Sequence, residues 1–283
     1  MKVAVIGAQG QLGQDLMKVL GSAAVGLTHQ QVDVVDGVGV VQALQAIRPD
    51  WVLNTAAFHR VDDCEASPAR ALDVNATGAF NVARACALVG ARGVFFSTDY
   101  VYGGTARRPG QPFVEADPPS PVNVYGVSKV AGEQLVLQAG EQMLVVRSAG
   151  LYGQATSRKG WTFPELMLHL GSTQEVVRVV DDQVLSPTCT QDLAIAVKAL
   201  VDDDASGLVH VANTGECSWY EFARATFDLT SHGARLEPQN TAAAGRRARR
   251  PPYSALTSAR VAAPLRHWRE ALADYLRAKG LTS

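Results

Sequence analysis

The 283-residue sequence predicts an α/β protein, a doubly wound parallel sheet with a smaller C-terminal substrate-binding lobe. Three observations predict it. Short, β-branched apolar runs alternate with helical patterns through the first half of the chain. A glycine-rich turn follows the first of those runs. After Arg147 the alternation loosens into polar, glycine-bearing chain. Strands that are apolar almost throughout belong in a parallel sheet covered on both faces. Right-handed crossovers wind such a sheet in both directions.

Taken in order, Lys2-Val-Ala-Val-Ile6 reads as a buried first strand. It runs into Gly7-Ala-Gln-Gly10-Gln-Leu-Gly13 and the helix Gln11–Leu20. Strands are then expected at Ala24–Leu27, Trp51–Asn54, Gly93–Ser97 and Met143–Arg147, with helices at Val38–Ala46, Ala66–Val89 and Val124–Ala139 between them. A loop follows from Gly150 to Gly160. Helices are expected at Phe163–Leu170, Gln191–Val201, Trp219–Asp228 and Trp268–Ala278, and further strands at Val176–Val180 and Leu208–Ala212.

The strand–turn–helix start is a Rossmann-type fingerprint. Gly7 permits the tight turn, Gly10 lets the backbone approach a pyrophosphate, and Gly13 lets helix and strand pack closely. Gln11 and Leu12 open a helix whose N-terminal N–H groups and dipole suit phosphate. Glycines also mark ordinary turns; the context favours the dinucleotide. The chain therefore divides into a dinucleotide-binding domain over 1–150, its sheet completed from 175–212, and a substrate-binding lobe from 151–174 and 213–283.

The second strand ends in Gly26-Leu-Thr-His-Gln-Gln31, without the acid that usually holds a ribose 2′-hydroxyl. Thr28 and His29 can hydrogen-bond a 2′-phosphate, while Asp33 borders the adenine. NADPH is therefore expected, with NADH usable. After the third strand, small Thr55, Ala56 and Ala57 let the cofactor lie against the backbone. Close packing alone would also explain them.

The fourth strand ends in Phe96-Ser-Thr-Asp-Tyr-Val-Tyr102, and Pro121-Val-Asn-Val-Tyr-Gly-Val-Ser-Lys129 follows. Tyr125 and Lys129, four apart, share a helix face. There the ammonium can lower the phenol from its usual pKa of about 10. Such a tyrosine exchanges protons near neutral pH. Thr98 can donate a hydrogen bond to the oxygen that Tyr125 protonates, and Lys129 can also bind the nicotinamide ribose. A solvated helix face and a self-satisfied strand end are the bland readings of these residues.

Composition gives no reason to expect nucleic acid or membrane as partner. The formal net charge is −1, and no apolar run reaches membrane-spanning length. No basic start precedes an apolar signal core. Cys64, Cys86, Cys189 and Cys217 are scattered, which argues against a zinc site or disulfide scaffold and for a reducing cytoplasm.

Together, Gly7-x-x-Gly10-x-x-Gly13, Ser97-Thr-Asp-Tyr-Val101 and Tyr125-Gly-x-x-Lys129 resemble an extended short-chain dehydrogenase/reductase. Phe113 to Glu133, Val180-Asp-Asp-Gln-Val-Leu-Ser-Pro-Thr188, Asp192-Leu-Ala and Arg250-Pro-Pro-Tyr-Ser254 resemble its dTDP-4-dehydrorhamnose reductase branch. The resemblance implies reduction of the C4 ketone of a nucleotide-linked 4-keto-6-deoxy sugar, with Thr98, Tyr125 and Lys129 as the catalytic trio. It places His59, Val61, Asp99, Tyr100, Gly150 and Arg250 around the substrate. His59 stands where the family usually has threonine, and Gly150 where it has tryptophan, so the choice of sugar is left open. Acids that bridge a metal-linked dimer in some members have no match here, so no metal is expected; a homodimer stays open. Two other readings keep the same fold: an NAD-dependent nucleotide-sugar epimerase or dehydratase, and a non-catalytic regulatory relative.

Overall fold

The computed structural model describes residues 1–155, 160–261 and 263–282. Four residues of the expected Gly150–Gly160 loop, 156–159, lie outside them. Six parallel strands form the central sheet: β1 (Val3–Ile6), β2 (Ala24–Leu27), β3 (Trp51–Asn54), β4 (Arg92–Thr98), β5 (Met143–Ser148) and, much later in the chain, the strand Gly207–His210. Between β5 and that strand lie β6 (Val176–Val180) and β7 (Val184–Leu185), so Gly207–His210 is β8. The spatial order is β2-β1-β3-β4-β5-β8. The order reverses between β1 and β3, which opens a ligand crevice beyond their carboxyl ends.

Helices cover both faces, as the apolar strands require. α1 (Gln11–Leu20) lies on one face. On the other lie α2 (Gly37–Ile47), then α3 (Val61–Ala66), α4 (Pro68–Leu72) and α5 (Gly78–Val89), and α6 (Val124–Gln138). After α7 (Phe163–Thr173) in the second half, α8 (Thr190–Asp202) packs beside α1. Val3, Val5, Leu53, Val94, Leu144 and Val146 face the α1/α8 layer. Ala4, Ile6, Val52, Phe95 and Val145 face the α2/α5/α6 layer. Strand residues thus alternate between two cores.

The expected helix Ala66–Val89 is broken and starts earlier. Pro68 pushes Ser67 out of the helical region, to φ −139° and ψ 66°, and opens a new helix as its first residue. A π-helical stretch, Asp73–Thr77, then joins α4 to α5.

Of the segment 175–212, only β8 enters the central sheet. β6 pairs in parallel with β11 (Arg235–Gln239), where α7 and α9 (Trp219–Leu229) cover it. β9 (Asn213–Thr214), β10 (Cys217–Ser218), β12 (Leu265–His267) and α10 (Trp268–Ala278) complete this part. β7 pairs with β10 and β9 with β12. Strands of two or three residues show no period in a sequence, so these were not expected. No helix among the described residues is long and apolar enough to cross a membrane.

Candidate active site

At the β1–α1 turn Gly7 adopts φ +80°, where a side chain is strained. A Cβ at Gly13 would lie 2.3 Å from the Gly7 carbonyl oxygen, so this residue sets how closely α1 meets β1. Gly10 caps α1 without a side-chain hydrogen bond, which leaves the first helical N–H groups for an anion. A cavity of about 220 Å³ opens here. Gly7, Gly10, Thr28, His29, Asp33, Ala56 and Ala57, all expected around the cofactor, line it. Gln11 instead reaches the Gly153 carbonyl at 3.4 Å, and Leu12 packs into the α1/α8 core, so only its backbone faces the turn. His59, expected beside the sugar, lies on the wall of this cavity.

The cavity also holds an unexpected group, Arg70 of α4. The second strand carries no arginine, but the break at Pro68 brings one in from elsewhere.

Farther along the strand ends, Thr98 closes β4 and Tyr125 sits in the first turn of α6. Asn123 caps that turn, accepting from the Gly126 N–H at 2.8 Å. Burial pushes the Tyr125 phenol up, and a hydrogen bond with Thr98 opposes the rise. Lys129 is not among the groups that shift it most. Lys129 Nζ donates to the Phe96 carbonyl at 2.7 Å and lies 4.0 Å from the centre of the Phe95 ring. The strand end captures the ammonium, because a buried cation takes the nearest acceptor. Burial lowers Lys129 itself to about 7, against the pull of Glu133.

Asp99, expected to face substrate, is 3% exposed and turned inward. Thr98 Oγ1 donates to its Oδ1 at 3.0 Å, and Ser254 Oγ to its Oδ2 at 2.5 Å. Burial pushes its carboxyl up to about 6, with those two hydroxyls opposing. Tyr100 remains beside Tyr125, the rings edge to face at 5.8 Å. Val61 opens α3 next to Asp62. Arg250 is bound to Asp62 at 2.8 Å rather than standing alone. Burial works against the Asp62 charge, but the Ala248 N–H and Arg250 hold its carboxyl below the usual range. Gly150 adopts φ +52°, and a Cβ there would lie 2.5 Å from Leu185 Cδ1. Leu185 occupies the space where a large side chain would stand.

Two buried residues escaped the sequence reading. Asn75, brought in by the π-helical stretch, accepts from the Phe58 N–H and donates to the Phe58 carbonyl and to Ser128 Oγ. It pins the loop after β3 to α6. Ser148 is in register with Thr98, so both side chains leave the same face of the sheet. Its Oγ is buried with no hydrogen-bond partner. Neither residue lies in a motif; only the fold gives them neighbours.

A dinucleotide can lie along these strand ends, with a phenol beside it to deliver a proton, which is the chemistry of short-chain dehydrogenases/reductases. Within that class, the chain belongs to the family described as RmlD substrate binding domain, whose model matches residues 1–280. It is 41% identical to a dTDP-4-dehydrorhamnose reductase of Mycobacterium tuberculosis, over 98% of this chain and 93% of that one. It is 40% identical to a dTDP-4-keto-6-deoxy-D-glucose reductase of Streptomyces niveus, over 95% and 94%. Among solved structures it resembles a Bacillus anthracis dTDP-4-dehydrorhamnose reductase in complex with NADP. There the identity is 36% and the TM-score 0.92, covering 98% of this chain and 100% of that one.

Proposed function

We propose that this protein reduces the C4 ketone of a nucleotide-linked 4-keto-6-deoxy sugar, with NADPH as the preferred hydride donor and NADH usable. What supports the reading is that Thr98 and the glycine turn both lie at the carboxyl ends of the parallel strands, with Tyr125 in the first turn of α6 and Lys129 one turn on. Relatives at 41% and 40% identity carry different sugar names, so identity alone does not choose the sugar.

The residues fit a nicotinamide dinucleotide. The turn at Gly7 and Gly13 is a cradle that a Cβ would fill, and the unpartnered Ser148 hydroxyl offers a polar contact at the catalytic end. Gly7 and Gly10 would hold the pyrophosphate, Thr28, His29 and Arg70 the 2′-phosphate, and Ser148 the carboxamide. When bound, the cofactor supplies the hydride.

The protein's part is proton delivery and orientation. As the C4 carbonyl becomes an alkoxide, its oxygen takes the proton of the Tyr125 hydroxyl. A phenol kept protonated by burial is suited to act as the acid. Lys129 places a cation one turn from the resulting phenolate. Electrostatic placement of that kind lowers the barrier where charge develops. Arg250, paired with Asp62, steadies the segment that would meet the nucleotide diphosphate. The division into a dinucleotide-binding part over 1–150, completed by β8, and a substrate lobe fits this reading.

Dehydration would need a further acid–base pair at the sugar. Asp99 has both oxygens engaged by Thr98 and Ser254, which favours simple reduction. The test is NADPH oxidation with a panel of dTDP-linked 4-keto-6-deoxy sugars, followed by NMR of the product. Stereochemically pure 6-deoxy sugar is expected; release of water without NADPH consumption would overturn the reading.

A further inference from the structure

We propose that Asn123 is a positioning residue for the reaction: its side-chain nitrogen ties the segment 248–250 to the first turn of α6, and so holds Tyr125 in register with the chain that meets the sugar nucleotide. The inference rests on the reductase reading and adds a residue to it.

A helix cap asks only for an acceptor. Asn123 Oδ1 meets that need, accepting from the Gly126 N–H at 2.8 Å. Serine or aspartate would cap the helix as well. The other end of the side chain does something the helix does not require. Nδ2 donates to the Arg249 carbonyl at 2.9 Å, a bond between residues 126 apart in the chain. Asn123 is 6% exposed, so solvent is a poor substitute for either partner.

Two further links close a ring. Arg250 Nη2 and the Ala248 N–H bind Asp62, in the first turn of α3, at 2.8 and 2.9 Å. Glu65, three residues on, accepts from the Val124 N–H at 2.9 Å. Helix α3, the start of α6 and the segment 248–250 are therefore hydrogen-bonded pairwise, and Tyr125 directly follows the two α6 residues of the ring. The same turn abuts the chain after β4: a Cβ at Gly126 would lie 2.2 Å from the Tyr100 carbonyl oxygen, which leaves no room to slide that way.

The ring divides two tasks. Asp62 fixes Arg250, the side chain proposed to steady the diphosphate end, and so serves binding. Asn123 fixes where the phenol stands relative to that segment, and so serves proton transfer. Proton transfer needs donor and acceptor within hydrogen-bond reach, so a small loss of register costs rate before it costs affinity.

The experiment compares Asn123→Ser, Asn123→Asp and Asn123→Ala with the wild type, using NADPH and the sugar nucleotide that the wild type reduces. The first two keep an acceptor for the Gly126 N–H and lose the donor to Arg249; Asn123→Ala loses both. Asn123→Ser should lower kcat by about three- to tenfold, the rate equivalent of one neutral hydrogen bond. KM for the sugar nucleotide and the fluorescence-titrated affinity for NADPH should stay within about twofold. Asn123→Ser should melt with the wild type, and Asn123→Ala below it. The solvent deuterium isotope effect on kcat should rise in Asn123→Ser, because a displaced phenol slows the proton step. Wild-type kcat in that variant, a rise in KM alone, or a lower kcat with an unchanged isotope effect overturns the proposal and leaves Asn123 an ordinary cap. If Asn123→Ser does not fold, Asn123→Asp decides, since it keeps the shape of the side chain; wild-type kcat there overturns the proposal as well. A wild type that oxidises no NADPH would instead sink the reductase reading, before any variant is compared.

Discussion

Arg147 and Glu133 meet face to face beneath the catalytic helix, Nε on Oε1 at 2.8 Å and Nη2 on Oε2 at 2.6 Å, with side chains 2% and 1% exposed. The Ser97 hydroxyl donates to the same carboxylate, and Arg147 Nη1 donates to the Tyr102 hydroxyl at 2.6 Å. Strand β5 is thus bolted to α6 one turn beyond Lys129. Breaking a buried pair leaves a charge without compensation, at a cost of about 3–5 kcal/mol. Glu133→Ala should lose stability on that scale in urea unfolding. Glu133→Met combined with Arg147→Met should recover most of it. A single variant as stable as wild type would mean that solvent reaches the pair.

Tyr125→Phe keeps the ring packing against Tyr100 and removes the proton. General acid catalysis contributes roughly a hundred- to ten-thousand-fold, and kcat should fall within that range. NADPH affinity, read by fluorescence quenching, should hardly move. Near-full turnover in the variant would place the acid elsewhere.

In its proposed role Lys129 is a cation kept at a cost in stability. Its pKa falls from 10.5 in the unfolded reference to about 7 in the fold, chiefly through burial. Between those values the unfolded chain holds the extra proton, so stability rises with pH across that window and the cost is full below it. Lys129→Met should therefore abolish turnover yet melt above wild type at pH 7. The gap should narrow as pH climbs towards 10. A variant that melts lower at every pH would show that the contacts to Phe96 and Phe95 outweigh desolvation.

Cofactor preference should answer to Arg70 and His29, both on the nucleotide cavity. A charge-assisted contact to phosphate is worth about 1.5–3 kcal/mol. Arg70→Ala should weaken NADPH binding by about tenfold or more by that measure and leave NADH nearly unchanged. His29→Asp should shift preference towards NADH by repelling the 2′-phosphate. Equal losses for both cofactors in Arg70→Ala would place its guanidinium on the adenine or the pyrophosphate instead.

Arg250 and Asp62 should behave as one unit. Arg250→Ala and Asp62→Ala both release the segment at Ala248, so each should raise KM for the sugar nucleotide by roughly tenfold, within the range of one charge-assisted contact. The double variant should cost little more than either alone. Additive losses would mean that Arg250 meets substrate independently of Asp62.

The sheet, its two helical layers and the order of most elements were legible because apolar runs with no polar face can only be buried strands. So were the tight turn at Gly7, the close approach at Gly13 and the helix that carries Tyr125 and Lys129, since turn geometry and helical spacing are local properties. The single long helix over Ala66–Val89 was misread where Ser67-Pro68 breaks it, although that dipeptide is itself a local signal.

What the sequence determined by itself was the class of chemistry: a glycine turn for phosphate and a tyrosine with a lysine one helical turn away. Tertiary structure alone decided how those residues are set. It gave the ammonium of Lys129 to the Phe96 carbonyl, turned Asp99 inward to Ser254, brought Arg70 to the cavity at the glycine turn and left Ser148 without a partner. Each of these depends on burial and on contacts between residues far apart in the chain. Desolvation and long-range hydrogen bonding are fixed only when the layers close, and no local pattern records them.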